Sequence, residues 1–179
     1  MSSTNPIALL TLLFAGSATA PRPPAQRHSL RQSADATLDE MIARDPPLDD
    51  LLHRATAYAV FPSIGAGGGL VGGACGRGIL YEGGAPIGHV SLEQASIGAQ
   101  LGGQSFAELL VLRTLDEVRA LKRGHFTAGA NLGLVVLTAG AAAHPSLDPN
   151  ASVFVLPHGG LMVDISISGQ QLNYQSFNE

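Results

Sequence analysis

Between Ala59 and Phe106 only Arg77, Glu82 and Glu93 carry a charge, and fourteen of the chain's 22 glycines fall between Gly65 and Gly103. A stretch so poor in charge is not a solvated linker. One so rich in glycine is not a helix, because each interior glycine costs a helix about 1 kcal/mol relative to alanine. What remains is closely packed strands, with glycine where backbones approach, bulge or turn. The block therefore predicts the core of a mainly β body.

The flanking sequence supplies further short β runs and a few helices. Candidate strands are Tyr58–Phe61, Gly76–Tyr81, Ile87–Leu92, Ala95–Leu101, Phe106–Leu112, Phe126–Leu137, Ser152–Leu156, Leu161–Ile167 and Leu172–Tyr174, with Glu82-Gly83-Gly84-Ala85-Pro86 as a turn. Two short helices come first. Leu38, Met41 and Ile42 share a face that ends at Pro46-Pro47, and Leu48, Leu51, Leu52 and Ala55 repeat at helical spacing. A third helix is inserted later: Thr114 and Glu117 form a capping-box pattern, Lys122 and Arg123 sit in its last turn, and Gly124 supplies the stop. The runs around Ile79, Ile97 and Val135 are apolar or small at successive positions, so both sheet faces should be buried. The expected fold is α+β and mainly β: an antiparallel barrel-like or sandwich body with two N-terminal helices and one inserted helix.

The 179 residues suit one domain, assigned to residues 35–179. Residues 1–20 read as a signal peptide, with an apolar run from Ile7 to Phe14 followed by small residues up to Ala20. Residues 21–34, rich in Pro, Arg, Gln and Ser, read as a flexible N-terminus. The expected location is periplasmic or otherwise envelope-associated; the alternative is cytoplasmic, with an uncleaved N-terminus, since the first six residues hold no Lys or Arg.

Composition narrows the chemistry. A net charge of −4 and the absence of tryptophan argue against nucleic acid, which asks for clustered cations or stacking aromatics. A single cysteine, Cys75, permits neither an internal disulfide nor a cysteine metal cluster. The six histidines are dispersed without HxH or HExxH spacing, so no metal site and no cofactor is expected.

Gly67, Gly69 and Gly72, with Glu93 about twenty residues on, satisfy a dinucleotide fingerprint, but that motif needs a helix where Gly72, Gly73, Gly76 and Gly78 forbid one. Ser105, Asp148 and His158 fall in hydrolase order, yet Phe106–Leu112 reads as strand rather than the helix a nucleophile elbow requires. No catalytic residue is assigned. Cations remain: Arg77 is the only base within the glycine block, and Arg119, Lys122 and Arg123 line the third helix and its end. If that helix packs beside the strand of Arg77, Arg77, Lys122 and Arg123 could hold an anionic headgroup, since guanidinium and ammonium groups pair strongly with phosphate. Read plainly, Lys122 and Arg123 complement the helix dipole.

Several separate segments carry one resemblance. AYAVFPSIGAGGGLVGGACGRGILYE, then SIGAQLGGQSFAELLVL, GHFTAGANLG and GGLMVDISISG, resemble in order and spacing the SYLF domain, also called the Ysc84 family, over about residues 48–174. The resemblance implies lipid binding: eukaryotic members bind phosphoinositide membranes and some bind actin, whereas bacterial members are mostly exported. A basic residue at the place of Arg77 is usual there; Ala66 stands where a lysine is common. The expected function is non-enzymatic binding of membrane lipid headgroups at the cell envelope. The rival is a structural or scaffold module for a protein partner, favoured by the overall acidity and by Ala66.

Overall fold

The computed structural model describes residues 24–68, 71–97, 102–126, 133–137, 151–158 and 170–177. Three helices, α1 (Pro24–Arg44), α2 (Pro47–Arg54) and α3 (Leu115–Lys122), accompany seven strands. The strands are β1 (Ala57–Gly68), β2 (Val71–Glu82), β3 (Ala85–Ile97), β4 (Gly102–Leu112), β5 (Gly133–Val136), β6 (Ala151–Pro157) and β7 (Gln170–Ser176). They form one sheet in the order β5-β6-β4-β1-β2-β3-β7, antiparallel throughout except that β5 runs parallel to β6. The mainly β expectation with three helices holds. The expected strand Leu161–Ile167, the loop Ala141–Pro149 and the signal peptide 1–20 lie outside the described residues.

Among the described residues the strands form one sheet that curls without closing, so neither a closed barrel nor a second sheet is seen. Its edges are β5 and β7, and among the described residues no pairing joins them. Each face is buried over at least part of its area, by different means. On one face α1 and α2 pack Ala34, Met41, Leu48 and Leu52 against Tyr58, Val60, Ile79, Tyr81 and Leu109. On the other, the sheet curls around its own side chains, among them Phe61, Leu80, Leu92, Phe106 and Val155, and α3 adds Val118 and Leu121. The curl has a direct measure. Gln170 of β7 donates from Nε2 to Glu108 Oε2 of β4 at 3.0 Å. In a flat sheet these strands, four steps apart at about 4.8 Å each, would stand about 19 Å from one another. The face lined by Glu108 is therefore concave, and the face under α1 is convex.

A bulge sets which residues point where. Pro62 has no N–H to give a ladder, and pairing of β1 slips on both sides of it, between Val60 and Ser63 toward β2 and between Phe61 and Ile64 toward β4. Before the slip, odd positions (Ala57, Ala59, Phe61) face the concave core; after it, even ones (Ile64, Ala66) do. Ser63 is thereby turned to the convex face. The bulge also presses on β2. A side chain at Gly78 would collide with the Val60 carbonyl, 2.8 Å from its carbon, and one at Gly76 would stand 2.6 Å from Ile64 Cγ1. Part of the glycine density is thus a packing requirement.

Local signals explain most boundaries. Gly83 and Gly84, at φ 58° and 79°, make the two-residue turn between β2 and β3. Thr114 and Glu117 cap α3 reciprocally, with Glu117 N donating to Thr114 Oγ1 at 3.3 Å and Thr114 N to Glu117 Oε2 at 3.3 Å, and Gly124 ends the helix at φ 70°. Two expectations are revised. Ile87–Leu92 and Ala95–Leu101 are not separate, since β3 runs unbroken from Ala85 to Ile97, pairing β2 throughout apart from a slip near its start. The helix begins at Pro24, well inside the stretch 21–34 read as flexible, because Leu30 and Ala34 continue the buried stripe of Leu38 and Met41 at helical spacing.

α1 is also tied down by a polar contact. Tyr81, stacked on Tyr58 with ring centroids 5.0 Å apart, donates its hydroxyl to Asp35 Oδ1 at 2.5 Å. Burial first, then this bond, raises its ionisation above the usual phenol range. Tyr81→Phe should cost about 1 kcal/mol in urea unfolding, the worth of one half-exposed hydrogen bond.

Candidate functional site

The helices cover only part of the convex face. Beyond Val60 and Ile79 the strands continue with Ser63, Gly65, Cys75, Glu93 and Ser105, all exposed. Alternation and register bring a row of polar side chains together across this bare half. Arg77 of β2 lies opposite Ser63 of β1 and opposite Ser91 of β3, and Ser91 in turn opposite Asn173 of β7. Opposed residues have Cβ atoms about 5 Å apart. Ser63 Oγ lies 3.2 Å from Ser105 Oγ on β4, extending the row to a fifth strand. Arg77 is half-buried, and no acidic group among the described residues pairs with it. The row is one guanidinium flanked by hydroxyls, all able to donate. Glu93, exposed and opposite Cys75, is the acid in the next row.

The cations expected to act together are separated. Arg77 shares its face of β2 with Ile79 and Tyr81, under α1. Lys122 belongs to the other side: its Nζ lies 2.6 Å from Glu82 Oε2, and Glu82 shares the face of Leu80. Helix α3 thus reaches β2, but across the sheet from Arg77. Lys122 is already neutralised by Glu82. Arg123, exposed, donates from Nε to the Arg119 carbonyl at 3.2 Å, as a residue closing a helix does, and Arg119 pairs with Asp116. The structure brings Arg77 together with serines that the sequence did not single out as its partners, and does not bring it together with Lys122 or Arg123.

The two motifs weighed against binding have definite settings. Gly72 lies in β2, so no helix opens at the third glycine of the dinucleotide pattern. Ser105 lies within β4, and strand follows it to Leu112; its carbonyl accepts from His158 N at 3.0 Å. Asp148 is outside the described residues. The bare convex half can therefore offer hydrogen-bond donors and, among the described residues, one positive charge to an anion on an accessible surface.

The sequence also left one buried group unremarked. Glu108 and Gln170 are 0% and 1% exposed on the concave face. A lone carboxylate within FAELLVL was the signal available for it.

Residues 93–176 match the family model Ysc84, described as Las17-binding protein actin regulator. The match runs from the middle of β3 to the end of β7; β1 and β2, which carry Ser63 and Arg77, precede it. A comparison with curated proteins found no match.

Proposed function

From the match of residues 93–176 to the Ysc84 (SYLF) family model, we propose that the protein is a non-enzymatic binding module that takes an anionic lipid headgroup on the bare half of its convex face, at the cell envelope. The carrying observation is the row Ser105, Ser63, Arg77 and Ser91, which sets an unpaired guanidinium among hydroxyls on an accessible surface. A phosphate accepts from both donor types, and guanidinium–phosphate pairing is strong. The export-like run Ile7–Phe14 with the small residues after it supports the envelope location.

Co-sedimentation with phosphatidylcholine vesicles, and with vesicles enriched in phosphatidylglycerol or a phosphoinositide, tests this reading. The expected result is binding to anionic vesicles only, weakening as salt rises. Arg77→Ala should weaken it several-fold, each basic residue at such a surface being worth about 1 kcal/mol. Lys122→Ala with Arg123→Ala should have a smaller effect, those groups lying across the sheet. A wild-type protein left in the supernatant with every vesicle ends the lipid reading.

A second reading is a scaffold for a protein partner. The matched family's own description, a Las17-binding actin regulator, favours it, as does the chain's net charge of −4, which repels an anionic membrane. Co-sedimentation with actin filaments in the absence of lipid separates the two.

A further inference from the structure

Glu108 lies between Phe106 and Leu110 on the concave face, opposite Phe61 of β1 and Val155 of β6. Its side chain is fully buried; Oε2 accepts from Gln170 Nε2, and among the described residues Oε1 has no hydrogen-bond partner. Gln170 opens β7, a strand that pairs with β3 alone among the described residues and is also joined by Leu172 N donating to the Phe126 carbonyl at 3.4 Å, with Gln170 itself opposite Gln94. The bond therefore joins the far strand β7 back to β4 across the mouth of the curl. Ionised, Glu108 would place a charge in an apolar enclosure with one oxygen unmatched, which costs several kcal/mol; neutral, it costs far less.

Among the described residues, the other titratable and charged groups on this side have partners of their own. Tyr174 of β7 donates to the Ile87 carbonyl. Glu82 of β2 and Lys122 of α3 pair with each other beside Ala57, four positions along β1 from Phe61. Asp116 and Arg119 pair along α3, and Glu117 caps it. The elements facing Glu108 from β1, β6 and β4 itself present Phe61, Val155, Phe106 and Leu110. Among the described residues no cation pairs with Glu108.

We propose that Glu108 gates the contact of β7 with β4: with its carboxyl protonated the Gln170 bond and the apolar enclosure are kept together, whereas loss of the proton, which leaves the Gln170 bond able to form, puts a charge in the enclosure that is relieved when β7 parts from β4 and water reaches the carboxylate. Burial raises the carboxyl from its ordinary 4.5 to about 7, the bond from Gln170 opposing that rise. The folded state binds its proton more tightly than the unfolded chain does. The stabilisation is then full below the ordinary carboxyl value, falls as pH climbs, and is gone once pH passes the folded value. The contact is closed in mild acid and released just above neutrality.

Amide hydrogen exchange of the full chain tests this, read as protection corrected for the intrinsic rate at about pH 5.5 and about pH 8. In the wild type, protection of the β7 amides should fall about tenfold at the higher pH, one unit above the titration, while β1 and β2 keep theirs. Glu108→Gln, which cannot ionise, should hold β7 protection level across that range. Should that variant not fold, Glu108→Met must give the same flat profile, and the wild-type comparison of β7 with β1 stands without either. Unchanged β7 protection in the wild type overturns the proposal. So does an equal fall in β1 and β2, or an undiminished fall in Glu108→Gln.

Discussion

Gly78→Ala lowers stability by about 3 kcal/mol, whereas Gly65→Ala raises it by about 0.5 kcal/mol. Both glycines sit in strands, where alanine is the better residue by up to about 1 kcal/mol through reduced unfolded-state freedom. Space decides the sign. At Gly78 the new methyl meets the Val60 carbonyl at the Pro62 bulge, backbone against backbone, so the strands must part; overpacking of this kind costs about 1–3 kcal/mol and more when backbone is forced. At Gly65 nothing stands within 4 Å, and the methyl projects from the bare convex half. Urea unfolding of the two variants beside the parent is sufficient. Equal shifts would mean that the glycine block reflects composition rather than close approach.

Met41→Ala should be comparably severe, at about 2–5 kcal/mol, with the unfolding midpoint falling accordingly. Met41 is fully buried between α1 and the convex face, in the same cluster as Leu48, Tyr58 and Ile79. Deleting its side chain leaves a cavity that the sheet behind it cannot close. A domain of this size has about 5–15 kcal/mol in total, so the loss would be a large part of it. A shift under about 0.5 kcal/mol would show that α1 is a detachable extension and not a wall of the core.

Local chemistry was legible in the sequence wherever it acts alone. The Gly83-Gly84 turn, the Thr114–Glu117 capping box, the stop at Gly124 and the break at Pro46-Pro47 all concern a few adjacent residues. Parity was not legible. Pro62 announces a disturbance, but only the pairing on both sides shows that Ser63 turns outward while Ile64 turns in. The continuous β3 was hidden because Glu93 and Gln94 interrupt an apolar run, one facing out and one in. The upstream reach of α1 rests on Leu30 and Ala34, too thin a stripe to stand out among polar neighbours. The site suffers most from being non-local. Ser63, Arg77, Ser91 and Ser105 come from four strands, and Lys122 is distinguished from Arg77 only by the face on which each emerges. A sheet that curls without closing likewise depends on how the edges β5 and β7 end, which no single segment encodes.

Because α1 and α2 stop at Val60 and Ile79, one sheet face is divided between two duties. The covered half carries stability and tolerates little; the bare half exposes Ser63, Gly65, Cys75, Glu93 and Ser105, and substitutions at such exposed positions usually move stability by less than about 0.5 kcal/mol. Recognition can then drift independently of folding. A serine exchanged for lysine, or Glu93 for a neutral residue, would retune charge on the surface without disturbing the scaffold beneath. A lineage of such chains could keep one architecture while its members diverge toward different ligands.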